Sequence, residues 1–321
     1  MKMKKERGLQ FVPITLFASV MGIAGLTITY RLLEGIFIID NYLSFIMTLF
    51  VTLLFLLQIG IVLYRLLMFK QMIKSDLQHP VHMNFYGTIS ISLFLLATLY
   101  MDISIMLSFI VWLIGAFFQI GLTLYLLSTL FWEREYSIKQ FNPTWFIPIV
   151  GNIVAPISGV YHVDPLFNWM FFSIGIVFTI IYYVLFVQRT VFHEPLPEML
   201  LPSYFIIIAP IAIGAIVYIN LTEQVDVFAY ILYGLATYLI LLFLTQLKRF
   251  FMIPFFISWW AYLFPLAAYI NATIYMYTQT QISYLIYWAL VFTILTSILM
   301  VYLLWKTLVI ASKGGLTVEP E

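Results

Sequence analysis

The sequence predicts an all-α integral membrane protein, with ten transmembrane helices paired as five helical hairpins around a central axis, in a single domain over residues 1–321. Three observations predict it. First, the 321 residues are 64% hydrophobic and only 9% charged, against roughly 25% charged in soluble domains. No soluble fold hides that much apolar surface, whereas a bilayer is a solvent for it. Second, the apolar residues fall into runs long enough to cross about 30 Å of hydrocarbon, near 11–33, 42–68, 80–100, 104–130, 142–162, 166–188, 201–219, 227–247, 253–276 and 282–309. Third, the basic residues alternate with those runs. One set of connections holds Lys2, Lys4, Lys5, Arg7, Arg65, Lys70, Lys74, Arg134, Lys139, Arg189, Lys248, Arg249, Lys306 and Lys313, and the other holds only Arg31. Lysine and arginine collect on the cytoplasmic side. Both ends, with tails 1–10 and 310–321, are therefore expected in the cytoplasm, and the chain in the cell (plasma or inner) membrane. Tyr30, Tyr42, Tyr100, Tyr161, Tyr218 and Tyr284 fall where the opposite interface should lie, as an aromatic belt does.

The elements follow in order. The charged start, MKMKKERG, resembles the head of a signal peptide, but no small-residue cleavage site follows, so span one (11–33) reads as retained. It opens at Pro13 and Phe17. Span two (42–68) runs without proline. Span three (80–100) opens at Pro80, with Phe85 and Gly87 after it. Met101-Asp102-Ile103 is short enough to force an antiparallel hairpin into span four (104–130), again free of proline. Span five (142–162) carries Pro143, Pro148 and Pro156 with Phe146, and span six (166–188) carries none. Span seven (201–219) has Pro202, Phe205 and Pro210, and span eight (227–247) has none. Span nine (253–276) has Pro254, Phe256 and Pro265, and span ten (282–309) has none.

Nine of the 13 prolines thus sit in odd spans and none inside an even one. Proline removes a helix hydrogen bond, and irregular backbone at membrane depth is tolerated where protein buries it or where it lines a watery cavity. The odd spans are expected inside, kinked at Pro13, Pro148, Pro156, Pro210 and Pro265 and lining a central pore, with the even spans outside. Each odd span opens with proline, then phenylalanine, then a second breaker, at intervals of 50 to 70 residues. That periodicity reads as a fivefold repeat.

The chemistry is mostly one of absence. No Asp, Glu, Lys, Arg or His falls near the middle of a span, and there is no cysteine. His79 and His82 stand at i, i+3 without a third metal ligand of suitable type beside them. No catalytic constellation, metal site or cofactor motif is evident, so no enzyme, metal or cofactor is expected, and no basic patch suits nucleic acid. An uncharged pore still attracts anions through helix N-termini, amides and hydroxyls. Pore-lining candidates are Phe17, Ser19, Phe85, Thr88, Phe146, Asn152, Phe205 and Ser258. An ordinary interhelical hydrogen bond is the competing reading for each polar one.

Specific stretches then carry a resemblance. These are Val12-Pro13 through Gly22-Ile23-Ala24-Gly25-Leu26, His79-Pro80-Val81-His82-Met83-Asn84-Phe85, Asn142-Pro143-Thr144-Trp145-Phe146-Ile147-Pro148, Leu201-Pro202-Ser203-Tyr204-Phe205 to Ala209-Pro210, and Pro254-Phe255-Phe256-Ile257-Ser258-Trp259-Trp260-Ala261-Tyr262-Leu263-Phe264-Pro265. Over nearly its whole length the chain resembles the tellurite-resistance/dicarboxylate transporter family of the voltage-dependent anion channel superfamily. That family includes TehA-like bacterial channels and plant slow-type anion channels. The resemblance implies a homotrimer with one pore per protomer, and a gate at the phenylalanine of span nine, which is Phe264 here. It implies a gated channel for small inorganic anions in the lipid bilayer. The alternative is a carrier or exporter of C4-dicarboxylate, sulfite or tellurite-type oxyanions.

Overall fold

A computed structural model describes residues 8–133 and 136–318. Lys2, Lys4, Lys5, Arg7 and Arg134 lie outside the described residues. The α-helices are α1 (Ala18–Phe37), α2 (Tyr42–Met68), α3 (Lys70–Gln78), α4 (His82–Phe85), α5 (Gly87–Tyr100), α6 (Ile105–Ser128), α7 (Phe146–Val154), α8 (Pro156–Gly159), α9 (Pro165–Phe192), α10 (Ile208–Thr222), α11 (Val227–Leu244), α12 (Leu247–Phe251), α13 (Leu263–Thr280) and α14 (Ser283–Ser312).

Eight helices among the described residues are long and apolar enough to cross a membrane: Ile14–Phe37, Tyr42–Met68, His82–Tyr100, Ile105–Trp132, Pro165–Phe192, Glu198–Thr222, Val227–Leu244 and Ser283–Ser312. The runs near 142–162 and 253–276 differ from the other eight. The first is divided into a 3₁₀ turn (Pro143–Trp145), α7 and α8, because Pro156 has no amide hydrogen to carry α7 onward. The second is divided between a 3₁₀ stretch (Ile257–Tyr262) and α13, whose interior holds Asn271 and whose end is polar.

Burial sorts the eight into two classes. In Ile14–Phe37, His82–Tyr100 and Glu198–Thr222, 72%, 94% and 83% of the most apolar stretch is buried. In the other five the share lies between 22% and 39%. Helices that are apolar all round yet exposed have lipid as their solvent. Packing gives the arrangement. α1 packs on α5, α5 on α7, α7 on α10, α10 on α13, and α13 back on α1, closing a ring of five inner elements. Outside it, α2 packs on α1, α6 on α5, α9 on α7, α11 on α10 and α14 on α13.

Pro148, Pro210 and Pro265 do not interrupt the middle of a helix. Each is the third residue of its α-helix, directly after a 3₁₀ segment. Pro13 precedes the 3₁₀ turn Ile14–Phe17 that leads into α1, and Pro156 is the first residue of α8. In the first turn the missing amide is one of the donors that lack an intrahelical partner anyway. Pro13, Pro148, Pro210 and Pro265 therefore mark the 3₁₀-to-α starts of inner elements, whereas Pro156 separates α7 from α8 within one.

The far ends repeat as well. α1, α10 and α13 each stop on a left-handed residue that is not glycine: Ile38 (φ 53°), Glu223 (φ 54°) and Gln281 (φ 56°). The amide of each caps a carbonyl four residues back, on Glu34, Ile219 and Tyr277. Outer helices then start on side-chain caps: Ser104 before α6, Asp164 before α9 and Asp226 before α11. The described ends of the chain meet, with the Gly8 amide donating to the Thr317 carbonyl at 2.9 Å.

Candidate functional site

The seam between α1 and α13 sets the site. A Cβ on Gly22 would lie 2.8 Å from the Leu263 Cβ, and one on Gly25 would lie 3.2 Å from the Ala267 Cβ and 3.3 Å from the Phe264 ring. Two glycines three apart thus let α13 approach the α1 backbone, as small residues do at membrane helix contacts. Buried polar groups fix the register. Thr29 Oγ1 donates to Asn271 Oδ1 at 2.7 Å, and Asn271 Nδ2 donates to the Gly25 carbonyl at 3.2 Å.

Beside this seam lies a partly open cavity of about 170 Å³, lined mostly by the inner elements. α1 contributes Gly25 and Ile28, α5 contributes Leu95 and Thr98, α8 contributes Ile157, and α10 contributes Ile213 and Ile216. α13 contributes Phe264, Ala268, Asn271 and Tyr275, spaced i, i+4, i+7, i+11, which is one helix face. Arg31, Met101, Asp102 and Tyr161 line its other end. Phe264 and the Gly25 it packs on are the lining residues farthest from those of the Arg31 end along α13 and α1, so the buried phenyl ring forms the cavity floor. Larger apolar clefts, of about 530 and 730 Å³, lie between α11 and α14 and between α2 and α6. Outer helices flank both, with the outward faces of inner elements between them, which suits lipid chains rather than a path along the ring axis.

Phe264 is the sequence-predicted residue that lines this cavity. The others are buried, or partly so, against different neighbours. Phe17 meets Phe55 of α2 edge-on at 5.8 Å, and Ser19 accepts a hydrogen bond from Gln58 of α2 at 2.9 Å. Phe146 packs on Tyr182 and Tyr183 of α9. Phe205 packs on Phe243 of α11 and on Tyr262. Thr88 donates to the carbonyl of Phe85, itself buried, at 2.5 Å, and Ser258 to that of Met199 at 2.6 Å. Asn152 donates to Thr123 of α6 at 3.0 Å, beside a hub built on Gln119. That glutamine accepts from Ser90 at 2.6 Å and donates to the Pro148 carbonyl at 2.6 Å. Most of these groups tie inner elements to outer helices. Asn271, a polar residue of an odd span and so a candidate from the sequence, also lines the cavity, while Gly25 and Arg31 are lining residues that the sequence reading did not single out. The i, i+4, i+7 series from Phe264 along span nine reaches Asn271, and the isolation of Arg31 marks it.

The histidines at i, i+3 serve another cluster. His79 and His82 stack at 4.2 Å, and His82 Nδ1 lies 3.3 Å from Asp76 Oδ1. Asp76 also pairs with buried Arg65 at 2.6 Å and accepts from the Tyr86 hydroxyl at 3.1 Å. Burial pushes the Asp76 carboxyl up, but hydrogen bonds and charge from His82 and Arg65 outweigh it and hold the group below the usual carboxylate range. Burial, with His82 beside it, pushes His79 down. No group of metal-ligating side chains large enough to hold an ion occurs among the described residues.

Known proteins share this architecture's sequence. An uncharacterized transporter of Methanocaldococcus jannaschii is 28% identical over 316 residues, covering 88% of this chain and 90% of that protein. An S-type anion channel of Arabidopsis thaliana is 26% identical over 278 residues, 82% of this chain and 52% of its own. A sulfite efflux pump of Arthroderma otae is 20% identical over 280 residues, 74% of each chain. The family described as voltage-dependent anion channel matches residues 12–308, nearly the full length of the ring and its outer helices, and the chain belongs to that family.

Proposed function

We propose that the chain is a gated channel for small inorganic anions, with a largely uncharged pore along the axis of the inner ring that is closed by the phenyl ring of Phe264. The observation that carries this reading is the cavity walled by inner elements and floored by Phe264. An apolar ring in a narrow neutral passage excludes water, and an anion stripped of water there meets a steep barrier. The ten-span topology, with five hairpins and both ends in the cytoplasm of a cell-membrane protein, is part of the same reading. The contact between Gly8 and Thr317 supports it, because ends that meet require an even number of crossings. The homotrimer rests on the family resemblance.

The test is Phe264→Ala in planar bilayers. Basal anion current should rise at least tenfold at equal protein, while Phe264→Leu stays mostly closed. A lumenal ring should be lost at small cost to stability, whereas a packed core phenylalanine costs about 3–5 kcal/mol on truncation. Parent-like current from folded Phe264→Ala would refute the gate. Large, weakly hydrated anions should pass at least as well as chloride, since no fixed charge at depth holds an anion strongly. A second reading, a carrier of sulfite, C4-dicarboxylate or tellurite-type oxyanions, is favoured by the similarity to a sulfite efflux pump. It predicts oxyanion uptake without chloride current.

A further inference from the structure

The five segments joining an inner element to the outer helix after it, residues 38–41, 101–104, 160–164, 223–226 and 281–282, hold five carboxylates and no lysine or arginine. A mouth so acidic repels anions. Asp164 and Asp226 are engaged as helix caps, accepting from the Leu166 amide at 2.8 Å and the Phe228 amide at 2.9 Å. Asp102 is engaged differently, by Arg31 at the cavity wall.

Arg31 is held in place from two sides. One guanidinium nitrogen, Nη1, donates to the Thr98 carbonyl at 2.8 Å, and the other, Nη2, pairs with Asp102 Oδ2. Glu34, one turn further on, acts on Arg31 through charge alone, its Oε1 accepting from the Ser44 amide at the start of α2 at 3.0 Å. The Arg31 side chain is 18% exposed and that of Asp102 is 62% exposed. The cation is therefore fixed to the cavity wall, while its carboxylate stands on a turn largely in water. Among the described residues, every other lysine and arginine lies outside the cavity lining.

We propose that Arg31 is the anion-binding group of the cavity and that Asp102 is its tethered competitor. An anion then occupies the cavity by displacing the Asp102 carboxylate from the guanidinium. This rests on reading the cavity as the anion path. The exchange replaces one ion pair by another, and the displaced carboxylate moves into solvent, so binding stays weak. Weak binding is what conduction needs, because an ion that enters must also leave. The pair also makes the two ends of the passage unlike, since the Arg31 end admits an anion only in exchange for Asp102.

The experiment uses Phe264→Ala protein in planar bilayers, with chloride varied on the Arg31 side alone. Half-saturating chloride should fall on the order of fivefold for Asp102→Asn and rise by at least as much for Arg31→Gln, the scale set by one unit charge a few ångströms away through water. Arg31→Lys, which keeps the charge, should stay near the parent value. Asp102→Asn added to Arg31→Gln should lower half-saturating chloride less than Asp102→Asn does alone, since only the repulsion of the acidic mouth is then relieved. Equal half-saturation in all variants overturns the proposal, and so does an Asp102→Asn effect of the same size with and without Arg31. A second readout needs no conduction, so it separates failure of this pair from failure of the gate. Nitrate or chloride added to protein in gluconate buffer should raise its unfolding temperature, at lower concentration for Asp102→Asn and not at all for Arg31→Gln. Identical anion responses in the three proteins overturn the proposal whether or not Phe264→Ala conducts.

Discussion

Gly22 and Gly25 face the same helix from the same helix, yet alanine should act differently at the two. At Gly22 the added methyl carbon would sit 2.8 Å from the Leu263 Cβ, 3.0 Å from its Cδ2 and 3.1 Å from its Cγ. Carbons rest about 3.5–4.0 Å apart, so the shortfall is roughly an ångström. The Leu263 Cβ is fixed to its backbone and fully buried, so relief requires α1 and α13 to separate. That belongs at the upper end of the ~1–3 kcal/mol cost of overpacking. At Gly25 the contacts are 3.2 Å to the Ala267 Cβ and 3.3 Å to the Phe264 ring edge. The overlap is a few tenths of an ångström, and the ring borders a cavity into which it can turn, which places the cost near 1 kcal/mol. Alanine regains about 1 kcal/mol of helix propensity at either site. That gain cancels in the comparison. Gly22→Ala should therefore be less stable than Gly25→Ala by about 2 kcal/mol, with Gly25→Ala close to the parent. Denaturant unfolding of both variants in one detergent, followed by tryptophan fluorescence, measures the difference. Equal stabilities, or a larger loss at Gly25, would refute the close-approach argument.

Two further predictions concern stability. Ile38 is a β-branched residue at φ 53° and is almost fully exposed, so Ile38→Gly should stabilise the fold by about 0.5–1 kcal/mol, the left-handed strain less the extra freedom of glycine in the unfolded chain; an unfolding midpoint below the parent's would count against it. Asp76→Asn leaves the buried Arg65 guanidinium without its carboxylate and should cost about 3 kcal/mol at pH 7. Because the folded carboxyl lies below its unfolded value near 4, its contribution is present above that pH and is lost as pH falls through the folded value. The gap in stability between parent and Asp76→Asn should therefore persist from pH 7 to 5 and begin to close below about pH 4.

How far the sequence could be read depends on what each signal measures. Proline distribution separates inner from outer elements because a missing amide is a property of one residue, and the burial contrast between Tyr42–Met68 and His82–Tyr100 follows it. Which face of an inner element meets the axis is another matter. Phe17, Phe146 and Phe205 each follow a proline, and all three pack against outer helices or aromatic neighbours. In a helix that is apolar on every side, hydrophobic periodicity has no contrast left to show direction. Polar residues misled for a related reason. Ser19 and Asn152 sit in inner elements, but their nearest hydrogen-bonding partners are Gln58 and Thr123 on outer ones. Phe264 was legible only through a motif, since nothing in its own composition separates it from 29 other phenylalanines among the 30.

The inner ring closes between its first and last members, and that has a consequence in time. Thr29 and its partner Asn271 are 242 residues apart. At a synthesis rate of about 5–20 residues per second, roughly 12–50 s pass between the emergence of one and the arrival of the other. For that interval the glycine groove of α1 and the Thr29 hydroxyl have no helix to meet, although α2 and α5 are already available to cover the rest of α1. Lipid chains fill a glycine groove poorly, and until Asn271 arrives the Thr29 hydroxyl has only the Gly25 carbonyl of its own helix, at 3.3 Å, as acceptor. The nascent chain must therefore carry an open seam through most of its insertion, and α13 is the element whose delay or loss leaves four inner elements built around a gap.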